Sequence, residues 1–176
     1  MSRASKNGDP RLREKLDLMS PVCAWFDGCC EPQNPGGHAA WGACVRVNGE
    51  WVYREGGYCG FGAGMSNNVA EYSGFVAALT EAVKHEGAIY IRGDSRLVIC
   101  HLSLDAAKRL GYHALWKMNG GLYLPYYQEA KRLMGIHGKR ITLDWVPREE
   151  NDICDVLSKK VLLDMGVKFK IQPEKP

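Results

Sequence analysis

Four acidic residues could together perform metal-dependent chemistry: Asp27, Glu71, Asp94 and Asp155 each stand at an end or edge of a predicted element. Clustered carboxylates repel one another by roughly 4 kcal/mol per pair at 4 Å, so such a cluster is strained until cations fill it. An incomplete shell of oxygen ligands suits Mg²⁺, which keeps waters and accepts substrate phosphate oxygens. Two such ions would hold the attacking water and the departing oxygen of an in-line displacement. If the four acids converge, the sequence predicts a divalent-metal site for phosphate chemistry.

Glu71 lies within the clearest amphipathic pattern of the chain, which predicts one helix over 67–86. At 100° per residue Glu71 falls about 40° from Phe75, at the edge of the apolar arc, so its side chain points towards a sheet. A capping box offers an alternative, because Asn68-x-x-Glu71 has the spacing in which the glutamate reaches back to the cap. The apolar arc consists of Val69, Tyr72, Phe75, Val76, Leu79, Ala82 and Val83.

The other three acids also have ordinary explanations. Asp94 could cap its following helix, Asp155 could favour the dipole of a first helical turn, and Asp27 could serve a tight turn before Gly28. Each explanation is plausible alone, but all of them together are much less so.

The elements that must position these acids follow in the order βββ-α-β-α-α-β-α. Val22 to Phe26 is apolar throughout, as in a central strand covered on both faces. Asn48-Gly49 predicts a tight hairpin between two further strands. Because a helix intervenes, the fourth strand is expected to lie parallel to the first, which would bring Asp27 and Asp94 to the same end of a mixed sheet. The other predicted strands are 39–47, 51–59, 88–92 and 140–146, and the later helices are 96–104, 122–134 and 151–165.

Composition predicts one globular domain, with 176 residues, 45% hydrophobic and 24% charged. The net charge of +3 permits a nucleic-acid partner without requiring one. Residues 1–20 are interpreted as a mobile tail with at most one helical turn near 12–19, residues 21–166 as the catalytic domain, and 167–176 as a basic tail. The N-terminus lacks an apolar stretch and no run could span a membrane, which favours a soluble cytoplasmic protein.

The seven cysteines are interpreted as buried, reduced thiols in a reducing compartment, because their number is odd and no pair has zinc-ligand spacing. They are Cys23, Cys29, Cys30, Cys44, Cys59, Cys100 and Cys154.

Between Val22 and Leu163, four groups of motifs occur in an order and spacing that resemble the ribonuclease H family, type 1 class. The resemblance implies a five-stranded mixed sheet, three antiparallel strands then two parallel, flanked by α-helices. It also implies that the four acids bind two Mg²⁺ ions, with Mn²⁺ as a possible substitute and no organic cofactor. The implied enzyme is a monomer that hydrolyses the RNA strand of RNA/DNA hybrids, leaving 5′-phosphate and 3′-hydroxyl ends. The motifs are Phe26-Asp27-Gly28-Cys29-Cys30 with Asn34-Pro35-Gly36 and Trp41-Gly42-Ala43; Asn67-Asn68-x-Ala70-Glu71; Gly93-Asp94-Ser95; and Val146-Pro147-Arg148-Glu149-Glu150-Asn151 before Asp155-x-Leu157.

Selectivity for RNA requires neutral donors and acceptors that read the 2′-hydroxyl along a shallow minor groove. The resemblance places such contacts at four asparagines and at two backbone positions, although asparagines in this pattern also serve turns and caps. The positions are Asn34, Asn67, Asn68 and Asn151, with the backbone at Gly28 and Cys30.

Two departures from the family are visible. Many members carry a histidine in the loop before the last helix; this chain has Arg148 there, so Arg148 takes a related electrostatic role or the step is left to water. The family's basic protrusion has no clear counterpart, and a reduced version could be formed by Lys108, Arg109, His113, Trp116 and Lys117. Equally, Trp116 could pack inward from a solvated helix.

The alternative functions are a DNA nuclease of the same superfamily and a nucleic-acid binding module that has lost catalysis.

Overall fold

A single five-stranded sheet organises the chain in the computed structural model, which describes residues 9–171. The spatial strand order is β3-β2-β1-β4-β5. β1 and β3 flank β2 in antiparallel ladders, whereas β1–β4 and β4–β5 are parallel. The predicted mixed sheet, with three antiparallel strands followed by two parallel ones, is thereby confirmed. The strands are β1 (Val22–Glu31), β2 (Gly36–Val47), β3 (Glu50–Gly62), β4 (Ile89–Gly93) and β5 (Ile141–Trp145).

Helices cover both faces of the sheet. Neighbouring residues of a strand point to opposite faces. Cys29 of β1 packs against Leu162, whereas the next residue, Cys30, packs against Ala70, so the last helix and the second helix lie on opposite sides. The helices are α1 (Pro10–Met19), α2 (Asn67–Ala82), α3 (Arg96–Leu102), α4 (Leu104–Arg109), α5 (Leu124–His137) and α6 (Asp152–Asp164), with short 3-10 turns at Gly138–Arg140 and Arg148–Glu150.

Helix α2 packs unusually close to β1, and Gly28 allows it. The Phe26 and Phe75 rings meet edge to face, with their centroids 5.3 Å apart, within the main core. A Cβ atom added to Gly28 would lie 2.3 Å from the backbone nitrogen of Glu71, so no other residue fits there without moving the helix. This close approach carries Glu71 to the strand that holds Asp27.

Residues 9–20 contain a longer helix than the single turn predicted near 12–19. Pro10–Met19 form a ten-residue helix capped by Asp9, whose side chain accepts a hydrogen bond from the Arg11 nitrogen at 3.0 Å. Asp17 anchors this helix through ion pairs to Arg92 and Arg46, residues distant in sequence. The predicted tail of residues 1–8 lies outside the described residues.

The start of the predicted C-terminal tail also packs on the domain. Phe169 is buried against Cys29 and Leu162, while residues 172–176 lie outside the described part. All seven cysteines are free thiols, and six of them are buried. Across residues 9–171, no helix is long and apolar enough to cross a membrane.

Helix α2 ends four residues earlier than predicted, and Arg140 binds the carbonyls of the turn that follows it. The Arg140 guanidinium donates hydrogen bonds to the carbonyl of Val83 at 2.8 Å and to that of His85 at 2.7 Å. The segment between the predicted helices 96–104 and 122–134 contains the short helix α4, followed by irregular chain that leads to α5.

Candidate active site

Three of the four predicted carboxylates meet at one end of the parallel strands. A carboxylate oxygen from each of Asp27, Glu71 and Asp94 lies within 4.8 Å of the others. Phe26 pairs with Gly93 in the β1–β4 ladder, so Asp27 and Asp94 are the next residues of adjacent parallel strands. We call these three residues the carboxylate cluster.

The ordinary explanations for the cluster residues are excluded by the observed caps. Ser66, not Asn68, caps α2, and its hydroxyl accepts from the Val69 nitrogen at 3.2 Å, so Glu71 forms no capping box. Ser95, not Asp94, caps α3. Asp27 lies within β1 instead of in a turn. Hence none of the three carboxylates is needed to end or turn an element.

Burial and mutual repulsion make the cluster electrostatically unfavourable on its own. Burial, together with the charges of Asp94 and Asp155, raises the pKa of Asp27 to about 8. The pKa of Glu71 is raised well above its usual value, first by burial and then by Asp27 and Asp94. Among the described residues, Glu71 Oε2 is buried without a hydrogen-bond partner. A donor set that consists of acidic oxygens, one of them buried without a partner, fits a hard divalent cation.

Neutral side chains orient the carboxylates. Asn151 is 2% exposed, and its amide donates to Asp94 Oδ1 at 3.0 Å and to the Phe26 carbonyl at 2.8 Å. The hydroxyl of Ser158 donates to Asp27 Oδ2 at 3.1 Å. Sequence reasoning missed Ser158; its position one helical turn after Asp155 was the available signal.

Asp155 stands beside the cluster without joining it. Arg148 Nη2 lies 2.6 Å from its Oδ1, and Lys159 Nζ lies 2.6 Å from its Oδ2. Its charge still contributes to the raised pKa of Asp27. Asp155 also lies in the first turn of α6, so the helix-dipole explanation remains compatible with its position. The structure therefore places three acids together and the fourth next to them in an ion-paired state.

Comparisons with known proteins agree with this geometry. A family model described as reverse transcriptase-like matches residues 25–161. The RNase H1 of the halophilic archaeon Halobacterium salinarum NRC-1 is 29% identical, covers 81% of this chain and 98% of its own, and superposes with a TM-score of 0.65. The chain belongs to the ribonuclease H family.

Two comparisons lead to one mycobacterial relative of this ribonuclease H chain. The N-terminal RNase H domain of Rv2228c from Mycobacterium tuberculosis, solved as a maltose-binding-protein fusion, is 27% identical with a TM-score of 0.66, covering 84% of this chain and 96% of that one. The bifunctional protein Rv2228c itself is 34% identical over 100 residues, or 55% of this chain. The match spans only 24% of that relative's length.

The polar residues expected to contact substrate fall into two groups. Asn34 is exposed, and its Oδ1 accepts from the Asn67 nitrogen at 2.8 Å, which ties the β1–β2 loop to the start of α2. Asn67 also donates to Glu71 Oε1 at 3.5 Å, and Asn68 is half-buried beside it. These three asparagines thus lie together at the edge of the cluster.

The remaining predicted contacts have internal partners. Asn151 is buried and bonded to Asp94, so it positions a carboxylate rather than facing solvent. Gly28 is covered by α2, and the Cys30 thiol, also buried, points to the Gln33 carbonyl at 3.3 Å. Each of these positions therefore packs or orients the site, and substrate contact by Asn151 and by the backbone at Gly28 and Cys30 stays a prediction.

In the segment after α3, Arg109 and Trp116 have partners within the fold. Arg109 donates to the Leu143 carbonyl at 2.6 Å and pairs with Asp144, so its guanidinium is fixed on β5. Trp116 packs edge-on against His101 and Tyr112, as in the inward alternative. Lys108 and Lys117 remain exposed.

Proposed function

We propose that this chain is a divalent-cation-dependent endoribonuclease that cleaves the RNA strand of RNA/DNA hybrids and leaves 5′-phosphate and 3′-hydroxyl ends. The observation that carries the proposal is the carboxylate cluster, in which Asp27 and Glu71 are buried and Asp94 is half-buried, and whose two aspartates follow paired residues of adjacent parallel strands in a ribonuclease H fold. A structural neighbour titled LC11-RNase H1 was solved with an RNA/DNA hybrid; at 20% identity and a TM-score of 0.62 it supports the fold.

Mg²⁺, or Mn²⁺ in its place, would be held by the cluster residues, with Asp155 available at their edge. Divalent cations at such a site supply positive charge to a phosphodiester and make bound water a stronger nucleophile. Two ions would suit the in-line displacement that the products require. The buried side chains themselves exclude bulk water and keep the three carboxylates at short range.

Asn151 and Ser158 prepare the site before substrate arrives. Each donates a neutral hydrogen bond to a single oxygen of a cluster carboxylate, which fixes the orientation of that carboxylate and leaves its second oxygen available. Orientation by such neighbours commonly accounts for about a 10- to 100-fold difference in activity or metal affinity.

Arg148 provides the nearest positive charge on the loop where other family members carry a histidine. Its side chain is 67% exposed, so it can reach a substrate phosphate as well as Asp155. In the proposal, Arg148 exchanges its ion pair with Asp155 for the backbone of the bound nucleic acid, which frees the fourth carboxylate for the cations.

Recognition of the hybrid is proposed to divide between neutral and basic groups. Asn34, Asn67 and Asn68 supply amides near the cluster, as reading of the 2′-hydroxyl requires. Lys108 and Lys117 supply exposed charge for phosphates of the DNA strand, a contribution that should weaken as salt rises.

A panel of end-labelled substrates tests the proposal. The chain is incubated with Mg²⁺ and an RNA/DNA hybrid, duplex DNA, duplex RNA or single strands, with the Asp27→Asn variant as control. Cleavage confined to the RNA of the hybrid and lost in the variant is expected. Cleavage of DNA would instead assign a DNA nuclease, and hybrid retention without cleavage would assign a binding module.

A further inference from the structure

Two arginines converge on one carboxylate away from the carboxylate cluster. Arg92 of β4 is buried, with its guanidinium carbon 4.3 Å from the centroid of Trp25 and 4.4 Å from that of Tyr90. It grips Asp17 of α1 through both terminal nitrogens, one of them 2.9 Å from Oδ2. Arg46 of β2 reaches Asp17 Oδ1 at 3.5 Å. We call Arg46, Arg92 and Trp25 the anion seat.

The anion seat carries more positive charge than its occupant neutralises. Two guanidinium groups face a single carboxylate, and within the described residues the Nε of Arg92 is buried without a partner. A fixed arginine fork matches the oxygens of a phosphate as well as those of a carboxylate, and a phosphate dianion would balance both charges.

A cavity of about 270 Å³ opens beside the anion seat. Its other walls include Trp51 and Ile153, each 38% exposed, so an aromatic and an aliphatic surface adjoin the charged end. Two acids also line the cavity: Glu150 pairs with Arg13 at 3.1 Å, whereas Asp152 accepts a backbone hydrogen bond from the Ile153 nitrogen at 2.8 Å, which leaves its charge in place. The volume is near the lower end of about 300 to 1,000 Å³ that small-molecule sites occupy.

The helix that supplies Asp17 is attached mainly by polar contacts. Arg13 is the buried residue of α1, whereas Leu18 and Met19 are 83% and 64% exposed. The Asp17 side chain is 30% exposed, so its carboxylate lies at the solvent-accessible edge of the anion seat, where another anion could take its place.

We propose that this cavity is a binding site for a nucleoside monophosphate, whose phosphate displaces the Asp17 carboxylate from the anion seat while the base lies against Trp51. Asp17 is then an internal competitor of the ligand. Since Asn151 lines the same cavity and holds Asp94, an occupied site would adjoin the carboxylate cluster from behind.

Binding of adenosine 5′-monophosphate to the full chain, followed by calorimetry and tryptophan fluorescence in EDTA, tests this site. Asp17→Asn should tighten binding by about tenfold or more, because it removes the competing charge. Arg46→Gln in that background should abolish the gain. The matched controls Asp164→Asn and Arg132→Gln, at exposed ion pairs elsewhere, should leave the affinity unchanged.

Two other ligands, adenosine and inorganic phosphate, and a further variant distinguish this nucleotide site from other binding modes. Adenosine or inorganic phosphate binding as tightly as the nucleotide would overturn the proposal, as would an Asp17→Asn affinity equal to that of wild type. Asp94→Asn should bind the nucleotide as wild type does, and loss of binding there would place the ligand at the carboxylate cluster instead. Should Asp17→Asn not fold, wild type at millimolar nucleotide must still show a signal that Arg46→Gln removes, or the proposal fails.

Discussion

Asn151 and Asp94 are joined by a hydrogen bond of 3.0 Å from amide nitrogen to carboxylate oxygen, although they stand 57 residues apart in the chain. The same amide also donates to the carbonyl of Phe26. One buried side chain before α6 therefore ties Phe26, the neighbour of Asp27 in β1, to Asp94, which follows β4.

Replacing Asn151 by alanine should lower both stability and activity. Loss of a buried amide leaves a carboxylate and a carbonyl unsatisfied, which costs about 1 to 3 kcal/mol of unfolding free energy. Misorientation of Asp94 should reduce hybrid cleavage by about 10- to 100-fold at temperatures where the variant is folded. Urea unfolding and a cleavage assay measure the two effects, with Asn119→Ala, at an exposed loop position, as control. Wild-type behaviour of Asn151→Ala would refute the positioning role.

Replacing Asp94 by asparagine should separate the effect of the cluster on stability without metal from its role in binding Mg²⁺. Without metal, the variant should melt no lower than wild type, because the acid whose charge disfavours ionisation of Asp27 and Glu71 is gone. It should also lose the stabilisation by Mg²⁺, which for wild type is roughly 2.7 kcal/mol at about 100 times the dissociation constant. Thermal melts in EDTA and in Mg²⁺ measure both effects, with Asp105→Asn as the control. An equal Mg²⁺ response in variant and wild type would contradict the prediction.

In EDTA, stability should fall as pH rises from about 4 to about 8. Folding raises the pKa of Asp27 from its usual 3.8 to about 8, so over this range the folded chain holds a proton that the unfolded chain releases. Unfolding then releases protons, and each such group costs about 1 kcal/mol of stability per pH unit. Glu71 acts in the same direction.

The contribution of Asp27 is isolated by subtraction. Asp27→Asn should show a shallower fall of unfolding free energy with pH than wild type, whereas Asp164→Asn should keep the wild-type slope. Saturating Mg²⁺ should flatten the wild-type curve, because bound carboxylates stay ionised in the folded state. Parallel curves for wild type and Asp27→Asn would show that Asp27 is not protonated on folding.

Replacing Arg148 by alanine should change metal and substrate dependence more than stability. Because the side chain is largely exposed, its ion pair with Asp155 contributes about 0 to 1 kcal/mol. Removing this competitor should lower the Mg²⁺ concentration for half-maximal cleavage, while loss of its charge should raise the KM for hybrid. Arg132→Ala, at another exposed ion pair, is the control. An increased Mg²⁺ requirement would rule out competition for Asp155.

Local patterns in the sequence predicted the order of the elements and brought Asp27 and Asp94 to one end of a mixed sheet, whereas the number of strands and the full set of acids came from the family resemblance. The Asn48-Gly49 hairpin and the apolar strand before Asp27 could be predicted because both depend on residues that are neighbours in the sequence. Glu71 was recognisable because an acid at the edge of an apolar arc conflicts with simple amphipathicity. The capping-box alternative could be settled only by the structure, which shows Ser66 as the cap.

The misplaced elements depend on contacts between distant residues. Helix α1 has few buried apolar residues and is held by Asp17 bound to Arg92, a pair 75 residues apart that leaves no local periodicity. Arg140 binds a carbonyl just after α2, and Arg109 binds a carbonyl of β5. The sequence marked Asn151 as a candidate site residue, but it did not predict that its side chain points inward. That burial follows from how α6 packs against β1 and β4.

Anomalous diffraction from crystals of the chain grown with Mn²⁺ and a non-cleavable RNA/DNA hybrid tests the central claim most directly. The account predicts manganese peaks bounded by the carboxylates of Asp27, Glu71 and Asp94, against a phosphate of the RNA strand. Manganese bound elsewhere, or a hybrid seated on the protein with no peak among those three side chains, would contradict it.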